Sequence, residues 1–207
     1  MGRIQANLML LLAGAVWGMG FVAQSTAMAS IGPLLFIGLR FTAATLAMAP
    51  FAVLESRRAA IPLAPGQWRA FVVIGLMLFG AILFQQLGIM RTTVTNSGFL
   101  TGLYVVLTPF CGVLLFREWP HAAVWTAALI ALAGIWLLAG GQLSALTWGD
   151  WLTMLAAVFC GFQVALIGRH AVHSGRPVTL AVTQFAVCAA LGLGLALVFE
   201  PIGLAAI

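Results

Sequence analysis

Seven apolar runs, each close to the roughly 20 residues that a helix needs to cross a bilayer, dominate this chain of 207 residues. They extend over about Leu8 to Met28, Pro33 to Leu54, Arg69 to Met90, Thr95 to Phe116, Ala122 to Ala139, Trp151 to Ala171 and Val178 to Phe199. In hydrocarbon a backbone must satisfy its own polar groups, so runs of this length fold as helices. Short connections with turn signals, Ile31-Gly32-Pro33, Pro65-Gly66, Gly140-Gly141 and Gly175-Arg176-Pro177, make antiparallel neighbours of them. The fold expected is all-α, a polytopic membrane bundle of seven transmembrane helices. Composition agrees, with 63% hydrophobic and 6% charged residues, where a soluble domain carries about 25% charged.

The nine basic residues are all arginines, placed singly or in one pair, so the net charge of +5 forms no patch for a nucleic acid. Their distribution sets the orientation, because cytoplasmic loops are enriched in arginine. With the N-terminus cytoplasmic, Arg3, Arg57, Arg58, Arg69, Arg117, Arg169 and Arg176 are inside and Arg91 alone is outside. Arg3, the first run and Ala27-Met28-Ala29 imitate a signal peptide. The length of that run, with Trp17 within it and similar spans behind it, makes it the first membrane helix instead. Cys111, Cys160 and Cys188 fall inside apolar runs at spacings of 49 and 28, which suits small buried side chains and neither a metal site nor a disulfide framework.

Polar side chains inside such helices mark interior surfaces. Arg40 lies roughly 10 Å inside the second run at about 1.5 Å per residue, so it must face protein or a water-filled cavity. The first helix puts Gly14, Trp17, Gly18, Phe21, Gln24 and Ser25 on one face; its Gly14/Gly18 pair suits a close backbone approach, and Trp17 and Gln24 suit a cavity. Gln85 and Gln86 point about 100° apart, so one at most faces a central cavity. The fourth helix carries a stripe, Ser97, Thr101, Tyr104, Thr108 and Gly112, with Asn96 beside its outer end, and Pro109 should release the Val105 carbonyl and bend the axis. Gln163 and Gln184 are the amides of the last two helices. Glu118 belongs to a local pair or cap, and His121, His170 and His173 to solvated inner positions. No intramembrane carboxylate offers a proton relay, and no nucleophile, metal or phosphate motif appears, so neither an enzyme nor a cofactor is expected.

The first five helices begin again at the sixth. Ala13 to Gly18 corresponds to Ala156 to Gly161, Pro33 to Pro177, Arg40 to Gln184 and Glu55 to Glu200, at offsets of 143 to 145 residues. An odd number of helices per copy inverts the second copy, as in secondary transporters. Residues 1–140 are then one repeat and 149–207 the first two helices of another.

Trp17-Gly18, Pro33 with Arg40, the segment SGFLTGLYVVLTPFCGVLLFREWP from Ser97 to Pro120, and AALIALAGIWLLA before Gly140 together resemble the EamA domain of the drug/metabolite transporter superfamily. That resemblance implies ten helices in two inverted repeats around a central cavity. It implies transport of small metabolites, amino acids or drugs across the bacterial inner membrane by alternating access, with Trp17, Arg40, Gln85, Asn96, Thr101, Tyr104, Gln163 and Gln184 as cavity candidates. The sequence departs from the pattern by ending in the second repeat. The competing expectation is a transport-inactive fragment or a subunit that needs an assembly, such as a homodimer. The partners expected are the lipid bilayer and a small-molecule substrate.

Overall fold

The computed structural model describes residues 2–27, 31–59, 61–117, 119–138 and 146–200. Among the described residues lie eight α-helices and no strand: α1 (Arg3–Ala27), α2 (Pro33–Arg58), α3 (Pro65–Ile89), α4 (Val94–Gly102), α5 (Tyr104–Phe116), α6 (Ala122–Leu138), α7 (Trp148–Ser174) and α8 (Pro177–Phe199). Six stretches are long and apolar enough to cross a membrane, α4 and α5 forming one of them together as Val94–Phe116; α6 is a shorter apolar helix. The chain is a multi-pass helical membrane protein. Met28, Glu118, the Gly140-Gly141 turn, the edge of the first repeat at residue 140 and the second repeat beyond residue 200 lie outside the described residues.

Local chemistry moves several helix ends beyond what hydropathy marks. α7 starts at Trp148 because Thr147 and Asp150 form a capping box, with Asp150 N donating to Thr147 Oγ1 at 3.3 Å and Thr147 N to Asp150 Oδ2 at 2.8 Å. α2 runs on to Arg58, whose charge, with that of Arg57, suits the negative end of the helix dipole. The single helix expected from Thr95 to Phe116 is interrupted at Leu103, not at Pro109, which sits inside α5. Leu103 keeps helical dihedrals, φ −58° and ψ −22°, but its N–H bonds Leu100 O at 3.2 Å, a tightened turn. Two glycines, Gly98 and Gly102, and the Thr101 hydroxyl, which donates to Ser97 O at 2.7 Å, loosen the ladder there.

The bundle is built on two antiparallel pairs, α2 with α8 and α3 with α7; α3 also packs on α8, α5 on α7 and α6 on α5, while α1 leans mainly on α4. Ile37, Phe41, Phe79, Cys188 and Ala189 form one core between α2, α3 and α8, and Phe71, Ile74 and Leu180 a second towards the inner end. Here and below, "inner" is the end that the arginines assign to the cytoplasm.

The α2–α8 pair is joined most closely. Gly38 and Gly192 meet backbone to backbone: a Cβ on Gly192 would lie 2.7 Å from Gly38 N. Each helix starts with Gly or Arg at the cap and Pro at the first turn, and neither cap residue supplies a side-chain bond. The missing acceptors come from the far end of the opposite helix. Leu34 N and Leu35 N donate to Glu200 Oε1 and Oε2 at 2.8 and 2.9 Å. Val178 N and Thr179 N donate to Glu55 Oε1 and Oε2 at 3.0 and 2.7 Å, and Thr179 Oγ1 adds 2.6 Å. Carboxylates at helix N-termini satisfy orphan donors and oppose the dipole. Glu200 thus caps the helix that starts at Pro33, and Glu55 the helix that starts at Pro177.

Candidate functional site

A cavity of about 260 Å³ lies where α1, α3, α4, α5 and α7 converge. Its polar wall is Trp17, Gln85, Thr101, Tyr104 and Gln163, and Cys160 closes one side. Leu78 and Ile82 of α3 and Ala156 and Val164 of α7 complete an apolar remainder. The Trp17 and Tyr104 rings lie 6.2 Å apart between centroids, tilted by 33°. Gln85 Nε2 donates to Thr101 Oγ1 at 3.0 Å, and Thr101 passes its own proton to Ser97 O, so the α3 amide is oriented by the first turns of α4. Gln163 Nε2 donates to Gln184 Oε1 at 2.7 Å and thereby joins the wall to α8. Among the described residues no charged side chain lines this cavity.

A larger groove of about 450 Å³ between α1 and the outer half of the α4–α5 span shares Trp17, Thr101 and Tyr104 with the cavity. Gly14 and Gly18 form its floor, and a Cβ at either would meet nothing within 4 Å. The glycine pair therefore does not receive a neighbouring backbone among the described residues; it opens space. On the inner side a separate hollow of about 420 Å³ lies between α5 and α7, with Thr108, Gly112, Phe116, Arg169 and His173 in its wall. The Arg169 guanidinium stands 4.6 Å from the Phe116 ring centre. The α4–α5 stripe thus serves three places: Ser97 is buried, Thr101 and Tyr104 face the cavity, and Thr108 and Gly112 face the inner hollow. Cavity and inner hollow share no lining residue, whereas cavity and outer groove share three.

Three candidates lie away from the cavity wall. Gln184 stands behind Gln163. Asn96 turns to Asp150, whose buried carboxylate also accepts from Thr92 Oγ1 at 2.6 Å and Thr147 Oγ1 at 2.7 Å, so this cluster pins the α3–α4 loop to the start of α7. Arg40 is half-buried on α2, with its guanidinium 5.0 Å from the Phe41 ring centre and no hydrogen bond to any described residue. Among the described residues, fully buried Gln86 has no partner for either amide atom and buried Gln24 none for Oε1. Arg176, placed by sequence in a cytoplasmic turn, is buried and donates to Ser56 Oγ at 3.1 Å and Ile61 O at 2.7 Å.

Sequence reasoning left the apolar lining and Cys160 out of the site, and two signals point to Cys160. It lies three residues before Gln163 on the same helical face, and it is the repeat mate of Trp17 at an offset of 143. Cys111 and Cys188 are buried and, like Cys160, free.

Multiple apolar spans and a polar cavity between helices define a polytopic membrane protein as the class. Residues 4–140 match the EamA-like transporter family, and the chain belongs to that family. An "Uncharacterized transporter" of Archaeoglobus fulgidus is 32% identical over 182 residues, which is 88% of this chain and 54% of the relative. The chain thus spans about half the length of this curated relative. No solved structure matches it.

Proposed function

We propose that the protein is a secondary transporter that carries small organic metabolites, such as amino acids or compounds of similar size, or drugs, across the bacterial inner membrane by alternating access. The observation that carries this reading is the 260 Å³ cavity whose wall joins repeat mates, Trp17 and Cys160, and places amides and hydroxyls among aromatic and aliphatic groups. A cavity between inverted repeats is where such carriers bind their cargo. Its size lies just under the roughly 300–1,000 Å³ of drug-sized sites, which favours metabolites. The uncharged wall favours cargo that is neutral or balances its own charge, because an unpaired ion would be desolvated at high cost. Three lining residues shared with the outer groove, and none shared with the inner hollow among the described residues, support a state open towards the outer side in such a cycle. Uptake by proteoliposomes, screened over neutral and zwitterionic metabolites and compared with Tyr104→Phe and Gln163→Ala, tests the reading. Loss of uptake in both variants with folding intact is expected; a transported compound whose KM and kcat neither variant changes refutes it.

Arg40 favours a second reading, in which the protein transports only once further protein covers α2. A guanidinium at that depth without a hydrogen-bond partner among the described residues is expected to face protein or water rather than lipid, and a second copy of the chain is one source of such protein. Mass measurement of the detergent-solubilised protein separates the two: a monomer that is active after reconstitution at one copy per vesicle removes the second reading.

A further inference from the structure

A groove of about 610 Å³ runs between the inner halves of α2 and α8, away from the cavity. Its floor is small and apolar: Ala49, Ala52 and Val53 from α2, Val182 and Ala186 from α8. Its direction follows from the helix geometry. Val182 and Ala186 lie two residues, roughly 200°, round α8 from Leu180 and Gln184, which face α3 and α7. The groove therefore opens towards the bilayer, and Val53 is 50% exposed in it.

The mouth has a different chemistry. Arg57, in the last turn of α2, and Trp68, near the start of α3, border it at the inner end. Arg57 and its neighbour Arg58 are exposed and make no hydrogen bond or ion pair with the described residues. The acid beside them in sequence, Glu55, is engaged in capping α8 and leaves their charge unopposed. Trp68 is 46% exposed, at the depth where tryptophans mark the headgroup boundary. Arginines at the cytoplasmic face attract anionic lipid, and hydrocarbon chains fill apolar grooves.

We propose that this groove binds one anionic phospholipid of the inner leaflet, with an acyl chain along Ala49, Ala52 and Ala186 and the phosphate held by Arg57 beside Trp68. The head is recognised by charge and the tail by fit, so neither a neutral lipid nor a free anion has both.

Quenching of Trp68 by brominated lipids tests this in nanodiscs containing the whole protein, with the Trp68 contribution taken as the difference from Trp68→Phe. Brominated phosphatidylglycerol at a low mole fraction should quench Trp68 several-fold more than brominated phosphatidylcholine at the same fraction. Arg57→Gln, at an exposed position where folding is not at stake, should equalise the two lipids. Ala186→Leu, which fills the groove, should reduce quenching by phosphatidylglycerol. Equal quenching by both lipids, a preference that survives Arg57→Gln, or a preference abolished by millimolar inorganic phosphate would each overturn the proposal, the last by assigning the arginine to a soluble anion.

Discussion

Replacing Glu200 with alanine removes the acceptor for Leu34 N and Leu35 N and leaves the start of α2 without a cap, because Gly32 supplies none. Loss of a helix cap costs about 0.5–2 kcal/mol, and loss of a carboxylate from a helix N-terminus about 0.3–1 kcal/mol. Glu200 is half-buried at the membrane edge, so water replaces part of the acceptor and about 1–2 kcal/mol remains. At roughly 2–4 °C per kcal/mol for a chain of this size, Tm should fall by about 2–8 °C. Gly32→Ala reaches the same end by another route. The Gly32 backbone, φ −63° and ψ 151°, suits alanine, but its Cβ would overlap the Glu200 carboxylate and push it off the helix. The two substitutions destroy one interaction, so the double variant should be no less stable than either single one, with a coupling energy near the full cost of the cap. Glu55→Ala acts at the opposite end of the same helix pair, roughly 30 Å away, and should add to both. Thermal unfolding in detergent, followed by tryptophan fluorescence, reads all of these. Simple additivity of Gly32→Ala and Glu200→Ala would refute the shared cap.

Gly192→Leu should abolish the folded monodisperse fraction on size exclusion, because any side chain there strikes the α2 backbone at Gly38 rather than a movable side chain. Gly18→Leu should not lower Tm, since the helix gains up to about 1 kcal/mol in propensity, and yet should block uptake, since its new side chain enters the open groove beside Trp17. Gln163→Ala should lower stability by about 1–3 kcal/mol by stranding the buried Gln184 amide, while the double variant Gln163→Leu/Gln184→Leu should recover most of that loss in the same unfolding assay.

The helices were legible because the bilayer demands one pattern, long apolar stretches, that no other fold imposes so strictly. Of the four short correspondences, Glu55 with Glu200 has a counterpart in the structure: each carboxylate closes the start of the opposite helix, α8 and α2 respectively. Helix faces were less legible. The stripe from Ser97 to Gly112 is one line in sequence, but the irregular turn at Leu103 and the packing of α7 distribute it over a core, a cavity and an inner hollow. Asn96 was drawn off by Asp150, a partner 54 residues away that spacing does not reveal. Gly14 and Gly18 have the pattern of a packing seam, and only the position of α4 shows that they border empty space. Hydropathy finds which residues avoid water; it does not find which neighbour they avoid it with.

Arg40 and Gln184 correspond in sequence at an offset of 144 and live in different surroundings. Gln184 needs few partners and finds Gln163 on α7 and, more loosely at 3.4 Å, the Leu180 carbonyl. A guanidinium carries five donors, and that of Arg40 has an aromatic face beside it and no hydrogen bond to the described residues. The contrast follows from packing: α7 and α8 rest on α3, while α1 and the corresponding side of α2 have no such support among the described residues. The charge is therefore a cost in this arrangement rather than part of the cavity wall, from which Arg40 is absent. Arg40→Gln makes the position identical to its mate and removes a charge that costs about 2.5–3.5 kcal/mol at mid-membrane. It should raise Tm by several degrees and leave the KM for a neutral substrate within about twofold, about 0.4 kcal/mol. A tenfold rise in KM with Tm unchanged would instead put the guanidinium on the substrate, and the uncharged-cavity reading would fall with it.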